Sequence, residues 1–441
     1  MPTALMLAQW YPPCQAWPTA ATRARLLATQ LPRHGWQTIV LAPDMTGGSC
    51  RCGWCSDPDR ADPPPVPGTT VHRIPVRRSA LRAAAALVRR RDGPAAGPAS
   101  FDGASTSLAQ AVWLLGDAHS NWPRVAAAHA RRLLARGGVD AIWTTSAPFA
   151  HVHVGHRLAE EHELPWVADL RDPVSTDVTA PPGWLERAVR ARRVPYRRPL
   201  QAATAITAAT GQVAALDGAW LGREPVVLVP GFDDAEWAEA RRTAEPNPDR
   251  FEIVFTGKLY ENYRRPDTFL RGLRLAADRL GSEDAGRLRF LYYGRSGGFL
   301  RGVAEAAGVS HLVEDRGFVD PAAVPVITAG AGALLLLTNE SGDSGVPGGK
   351  FFEYLAAHRP VLAVPGGDRY VASVLSRTGG GRIADDEQQV ADRLVEWFTA
   401  WRAAGALPFA GDPSAIEEFS AATSAGRLAE LLDAAMVPPA Q

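Results

Sequence analysis

Two segments carry residues whose types and spacing can do chemistry. The first, FEIVFTGKLYENYRR at 251–265, runs from an apolar strand into Gly257 and Lys258, with Arg264 and Arg265 further along. A glycine at a strand exit lets a ligand approach the backbone, and Lys258 and Arg264 can converge on one anion. A diphosphate suits such a pair, because two cations both bind it and stabilise its departure. The second, LLLLTNESGDSGVPGGKFFEYLA at 334–356, leads through a Gly/Ser-rich loop into a helix opening near Pro347, Gly348, Gly349 and Lys350. Amides at a helix start favour anions, and the glycines clear side chains from the approach. Glu353, one turn inside, is placed to accept hydrogen bonds from a ribose diol. A P-loop would need Gly at Ser344 and Ser or Thr at Phe351, so the segment is not one. Neither half carries GxGxxG after its first strand, which argues against an ordinary dehydrogenase.

Of 47 basic residues, two are lysine, Lys258 and Lys350. In a chain this rich in Arg and Ala, codon usage favours arginine wherever either cation serves. The two lysines therefore point to places where a compact ammonium is needed and a planar guanidinium does not fit.

The elements that must position these residues alternate strand and helix. Strands are predicted at Thr3–Gln9, Trp36–Ala42, Val71–Val76, Ala141–Thr145, Pro165–Leu170, Thr204–Ala208 and Val226–Val229. Helices fall between them at Ala20–His34 (closed by Gly35), Arg124–Arg136 and His151–His162. Pro230–Asp234 reads as a linker. The pattern restarts at Phe251–Thr256 and continues through Arg289–Gly294, His311–Val313, Ala333–Leu337 and Val361–Val364, before an amphipathic helix at Ala415–Ala434. Such alternation predicts an α/β protein with two doubly wound, Rossmann-like domains and a ligand cleft at their strand C-terminal ends. Gly93–Ser105, rich in Pro, Gly, Ala and Ser, reads as a loop insertion.

At 441 residues, 46% hydrophobic and 21% charged, with zero formal net charge, the chain has ample material for two cores. The neutral balance gives no support for nucleic-acid binding. No apolar run reaches bilayer length and no signal peptide is recognisable, so a cytoplasmic protein is expected.

With these motifs in view, the chain resembles a GT-B glycosyltransferase of the retaining family 4 kind, in the subgroup with GKxFEYLAA. The likeness is carried by MLAQWYPP and RHGWQTIVLAP, by TSAPFAHVHVGHRLAEEHELPWVADLRDP, by FTGKLY and, above all, by VPGGKFFEYLAAHRPVLAVPG. It implies residues 1–230 as an acceptor-binding domain, 231–411 as a nucleotide-sugar-binding domain, and 412–441 as a helix returning towards the first. It implies a hexosyl-type transfer from a UDP or GDP sugar with retained configuration, to a specialised metabolite, a small thiol or alcohol, or a glycan. No cofactor is required for such catalysis. By position, Lys258 and Arg264 resemble the family's basic pair on the diphosphate, and Glu353 its ribose-binding glutamate. Gly317, Phe318 and Val319 match the stretch that reads the base, with Gly294 beside it. Arg171 and Asp172 lie where relatives place a residue near the reacting sugar. The family's first glutamate would fall at Gly345, leaving Glu340 or Asp343 to meet the sugar hydroxyls. A sugar-nucleotide epimerase of the same architecture and an inactive nucleotide-sugar-binding protein are the alternative readings.

Cys14, Cys50, Cys52 and Cys55 follow the first two strands, and four thiolates meeting there would suit a structural zinc; free thiols are the simpler reading. The basic run Arg187–Arg198 beside Trp184 and Leu185 reads as a solvated helix face, with anionic lipid as the alternative partner. His34 and His151–His156 read as packing positions, with an acceptor-side role open to His151. Asp117 and Trp122 lie near the expected acceptor side.

Overall fold

The computed structural model describes residues 1–13, 18–44, 64–75, 122–176, 183–261, 264–338 and 348–437. The cysteines at 14, 50, 52 and 55 lie outside them, as do Pro347, Glu340, Asp343, Gly345, Asp117 and the segment 93–105. Two compact units form, Met1–Gly231 with Ala421–Gln441, and Phe232–Ser420.

The first unit is built on seven short strands, most of them apolar and buried. They are β1 (Thr3–Leu7), β2 (Gln37–Pro43), β3 (Thr69–Ile74), β4 (Ala141–Ser146), β5 (Trp166–Leu170), β6 (Ala205–Ala208) and β7 (Val226–Val227). Their order is β3-β2-β1-β4-β5-β6-β7, every pair parallel. Parallel pairing demands a crossover after each strand, and outside the connection from β2 to β3 described helices supply it. The helix Pro18–Gln30 runs into a 3-10 turn, Leu31–His34, that Gly35 closes in the left-handed region at φ 87°.

The second unit holds β8 (Phe251–Thr256), β9 (Leu288–Tyr293), β10 (Val313–Asp315), β11 (Ala333–Leu337), β12 (Val361–Val364) and β13 (Gly381–Ile383) in the order β10-β9-β8-β11-β12-β13. Each of its pairs is also parallel. β8 and β11 are neighbours, and the chain leaves them in opposite directions, to β9 on one side and β12 on the other. That is a topological switch point, where open parallel sheets bind ligands. The core beneath is aromatic: Phe251 meets Phe398 and Trp401, and Phe269 meets Phe290 edge to face at 4.9 Å.

Three local expectations are corrected. The expected strand His311–Val313 is a 3-10 turn, Ser310–Leu312, followed by β10; its side chains alternate too briefly for a pattern to place it. β13 went unread because it is three residues long and begins with glycine, required there because a Cβ at Gly381 would strike the Val361 carbonyl. The expected helix Ala415–Ala434 is two helices. Asp412 caps Pro413–Glu417 and anchors it in the second unit by donating its amide to the Thr378 carbonyl at 2.7 Å. The other, Ala421–Met436, belongs to the first unit, where Asp433 accepts from Trp36 Nε1 at 2.8 Å. Among the described residues no helix is long and apolar enough to cross a membrane.

Charge lies at the centre of the first unit. Arg23 donates to Asp169 through Nη1 at 2.5 Å and Nη2 at 2.9 Å, and Nη2 also donates to the Leu228 carbonyl. Thr145 and Thr207 hydroxyls donate to the same carboxylate at 2.9 and 2.7 Å. Both charges are buried, so removing one strands the other in a medium that solvates it poorly. Asp169→Leu or Arg23→Met alone should cost about 3–5 kcal/mol. The double variant should cost less than the sum, as read by urea unfolding.

Candidate functional site

The segments after β8 and β11 meet at the switch point of the second unit. β8 ends on Thr256, and Gly257 follows at φ 117°, a conformation that L side chains avoid. Its amide donates to the Tyr293 carbonyl at 2.7 Å, and the Gly294 amide donates to Gly317 at 2.8 Å, lacing the exits of β8, β9 and β10 together. Gly294 is bare for a steric reason: a Cβ there would strike the Gly257 carbonyl and the Tyr292 hydroxyl. Ser296 reinforces the same join, exchanging hydrogen bonds with the Leu259 backbone at 3.2 Å while its amide donates to Tyr292 Oη.

From the other side comes the helix Lys350–Ala356. Tyr354 pins it to the strand exit, its hydroxyl accepting from the Thr256 amide at 3.0 Å. Burial pushes that phenol well above its ordinary range, so it stays neutral. Lys350, at the first position, extends its ammonium over the Phe255 ring, 4.2 Å from the centroid. The same ammonium occupies the space a Gly257 side chain would need, with Cε 3.2 Å from that Cβ position. Glycine is thus required at 257 by φ, and the space its missing side chain leaves is taken by the end of Lys350.

The charges around this contact are uneven. Burial drives Lys350 down to about 8, with Arg264 pushing the same way and Glu353 opposing. Burial raises Glu353, Lys350 draws it back, and Glu236 adds to the rise. Arg264 itself sits at φ 54°, its Nη1 3.9 Å from the Cβ position of Gly348. Gly257, Arg264, Gly348, Lys350 and Glu353 are therefore brought together. Lys258 is on the same loop but exposed, its ammonium 4.8 Å from the centre of the Tyr260 ring. Arg265 turns away, paired with Asp267 at 2.8 Å.

The helix start leaves fewer amides for an anion than its sequence suggests. The helix has only seven residues, and the amides of Phe351, Phe352 and Glu353 already donate to the Gly348 and Gly349 carbonyls. The charges gathered here are those of side chains rather than of a long helix dipole. At the exit of β10, Gly317 is left-handed at φ 70° and donates to Asp315 at 3.0 Å. Phe318 is 53% exposed, with the Arg295 guanidinium stacked 3.9 Å above its centre. Val319 continues this edge.

In the first unit, Arg171 and Asp172 follow β5 and pair with each other at 2.6 Å. Their loop is gripped from two directions that sequence alone did not reveal. Asp217, buried in the helix Gly211–Leu221, accepts from the Val174 and Ser175 amides and from Ser175 Oγ at 2.7–3.1 Å. Arg193 takes the carbonyls instead, donating to Pro173 at 2.8 Å and Thr176 at 3.2 Å while its guanidinium lies 4.4 Å over Phe149. Nothing in the spacing marks Asp217, and Arg193 departs from the solvated face expected of the run Arg187–Arg198; both act on backbone groups rather than on a motif. His151 is buried beside Trp122, ring centres 5.2 Å apart. Its Nδ1 lies 2.8 Å from the Thr145 carbonyl, a contact only a protonated nitrogen makes, so Nε2 carries the lone pair. No group of three or more metal-ligating side chains occurs among the described residues.

No protein-family model matches the chain, and no curated protein matches it. Solved structures do. Anabaena HepE, in complex with UDP and glucose, aligns over 98% of this chain and 100% of its own at 13% identity and TM-score 0.53. Sucrose-phosphate synthase from Thermosynechococcus elongatus aligns over 99% and 100% at 16% identity and TM-score 0.57. The N-terminal domain of Candida albicans trehalose-6-phosphate phosphatase aligns over 99% and 97% at 13% identity and TM-score 0.61. At such identities the likeness is one of fold: two parallel-sheet, Rossmann-like domains, the GT-B class.

Gly257→Ala should destabilise the protein by about 1–3 kcal/mol, the cost of a strained backbone position. Adding Lys350→Ala should recover part of that loss in a double-mutant cycle read by thermal melting, since the collision is then gone. Burial holds the His151 ring neutral, at about 4 against its ordinary 6.5, with Arg171 adding to the shift. Below 6.5 the unfolded chain binds a proton the folded chain refuses, so stability is full above that pH and is lost as pH falls towards 4. One such group contributes up to about 3 kcal/mol. His358, also lowered to about 4, acts in the same window. His151→Gln should therefore reduce, without abolishing, the slope of stability against pH between 4 and 6.5.

Proposed function

We propose that this protein is a retaining glycosyltransferase that moves a sugar from a nucleoside-diphosphate donor, held by the second unit, to a hydroxyl- or thiol-bearing acceptor held by the first. The observation that carries the proposal is the meeting of Gly257, Arg264, Gly348, Lys350 and Glu353 at the β8/β11 switch point. Bare backbone, cations and a single partly buried carboxylate are what a diphosphate joined to a ribose would need. The GT-B fold supports the reading, and HepE, which shares that fold, was solved with UDP and glucose, so a UDP-sugar is the first donor to try.

In this reading Lys258 and Arg264 bind the diphosphate and Glu353 accepts from the ribose hydroxyls. The edge formed by Gly294, Phe318 and Val319 receives the base. The anomeric carbon–oxygen bond breaks as negative charge moves onto the diphosphate, and the acceptor oxygen or sulfur bonds to that carbon from the same face. A diphosphate oxygen takes the acceptor's proton, so no protein base is required. Stabilising the leaving group is then the main catalytic task, and each preorganised cation is worth about 3 kcal/mol. Arg171 and Asp172, fixed by Asp217 and Arg193, are assigned to the acceptor.

Lys258→Ala and Arg264→Ala should each lower kcat by about 100-fold or more. Glu353→Gln should raise the donor KM by about 10-fold, the worth of a charged hydrogen bond. The measurement is acceptor-dependent release of nucleoside diphosphate across a panel of UDP- and GDP-sugars. Epimerisation without acceptor, or nucleotide binding without turnover, would select one of the alternative readings. Normal sugar transfer by Lys258→Ala would refute this one.

A further inference from the structure

Lys350 is neither an exposed surface cation nor a member of a closed ion pair. Its ammonium rests on the Phe255 ring and against the bare Gly257 backbone, in a partly buried position. Among the described residues, the charged groups that act on it come from two elements. Glu353, on its own helix, favours the cation; Arg264, on the loop after β8, opposes it. Glu353 answers in turn to Glu236, on the helix Asp234–Thr243, so part of its charge is already contested. The Tyr354 phenol beside them is neutral. Among the described residues, an ammonium so placed has too little neighbouring negative charge to hold its proton firmly in mildly alkaline solution. A dianionic ligand arriving at Gly257 and Arg264 would supply that charge.

We propose that Lys350 is a further contact for the donor's phosphates, and that binding the nucleoside diphosphate charges its ammonium, so that the protein takes up a proton as the donor enters. The proposal rests on the donor site described above but makes a separate claim about it. The charge is completed only when phosphates are present, which spares the empty site the full repulsion between Lys350 and Arg264. It also makes donor affinity depend on pH in one direction. Affinity is highest where free Lys350 is already protonated, and falls as pH rises above about 8, by up to 10-fold per unit.

The test is calorimetric titration of the full-length protein with UDP, and with GDP in parallel, at pH 7.0 and 8.5. Two buffers of different ionisation enthalpy are used, so that the proton count is read directly. At pH 8.5 the nucleotide phosphates are already fully ionised, and any proton taken up goes to the protein. Wild type should take up about 0.7 proton per nucleotide at pH 8.5 and much less at pH 7.0. Lys350→Met, which keeps the stem over Phe255, should bind UDP about 10-fold more weakly at pH 7.0 and take up none. Lys350→Arg, charged at every pH, should also take up none, and should bind weakly because its guanidinium is too broad for the space beside Gly257. Nucleotide binding with no uptake by wild type, or uptake unchanged in Lys350→Met, overturns the proposal and leaves the donor site standing. Failure of wild type to bind either nucleotide at both pH values overturns the donor site and this proposal together.

Discussion

A lysine side chain pressed against a bare backbone organises the second unit. With the end of Lys350 lying beside Gly257, the first turn of the helix Lys350–Ala356 is in contact with the exit of β8. The Tyr354 hydroxyl, bonded to the Thr256 amide one residue away, fixes the same pair of elements from inside the core. Gly257 in turn bonds to Tyr293, and Gly294 to Gly317, so the constraint passes along the C-terminal edge of the sheet from β11 to β10. A site built this way is largely preorganised: its geometry is settled by packing before any ligand arrives, and little rearrangement remains to weaken binding.

The two units handle charge in opposite ways, and the contrast separates structure from function. In the first unit Arg23 and Asp169 are buried, matched, and further satisfied by Thr145, Thr207 and the Leu228 carbonyl. Among the described residues only Arg23 Nε of this pair is left without a partner, so the pair has little to offer a ligand; it joins the helix Pro18–Gln30 to β5 and the strands beside it. In the second unit Lys350 meets one carboxylate that favours its charge and one guanidinium that opposes it. Protein interiors penalise that imbalance, and folds tolerate it where something from outside restores it. Strong perturbation alone would not point to a binding site, since His151 is perturbed as strongly, mainly by burial with Arg171 adding to it. What distinguishes the Lys350 cluster is cations gathered beside bare glycine backbone at a strand-end switch point.

Much of the architecture was legible because apolar runs bounded by Gly and Pro mark buried parallel strands without ambiguity. Phe251–Thr256, Ala333–Leu337 and Val361–Val364 were read to the residue. Elements whose identity depends on partners were not. β13 has three residues, and its glycine is explained only by the Val361 carbonyl opposite. The break near Ser420 interrupts a continuous amphipathic pattern where the chain passes from one unit to the other, and no residue there is a strong helix breaker. Within the candidate site, motif spacing picked out Gly257, Arg264, Gly348, Lys350 and Glu353. It could not pick out Tyr354 as the pin, Phe255 as the surface under the ammonium, or Asp217 and Arg193 as the grip on the Arg171 loop. Each of these acts through backbone or ring contacts, which leave no periodic trace in a sequence.

The scarcity of lysine carries different weight at its two positions. At Lys350 the ammonium fits between an aromatic face and a glycine backbone, and a planar guanidinium, wider and bonding through a fork, would have to displace one of them. There a steric demand explains why arginine has not replaced it. Lys258 is exposed, its ammonium lying over Tyr260, and no described contact would exclude the larger group. If lysine is required at 258, the reason must lie in the ligand: a compact charge with three freely rotating donors can follow a phosphate as charge builds during bond breaking, whereas a guanidinium is best at holding one fixed geometry. Shape thus accounts for Lys350, while the case for lysine at 258 stands or falls with the proposed leaving group.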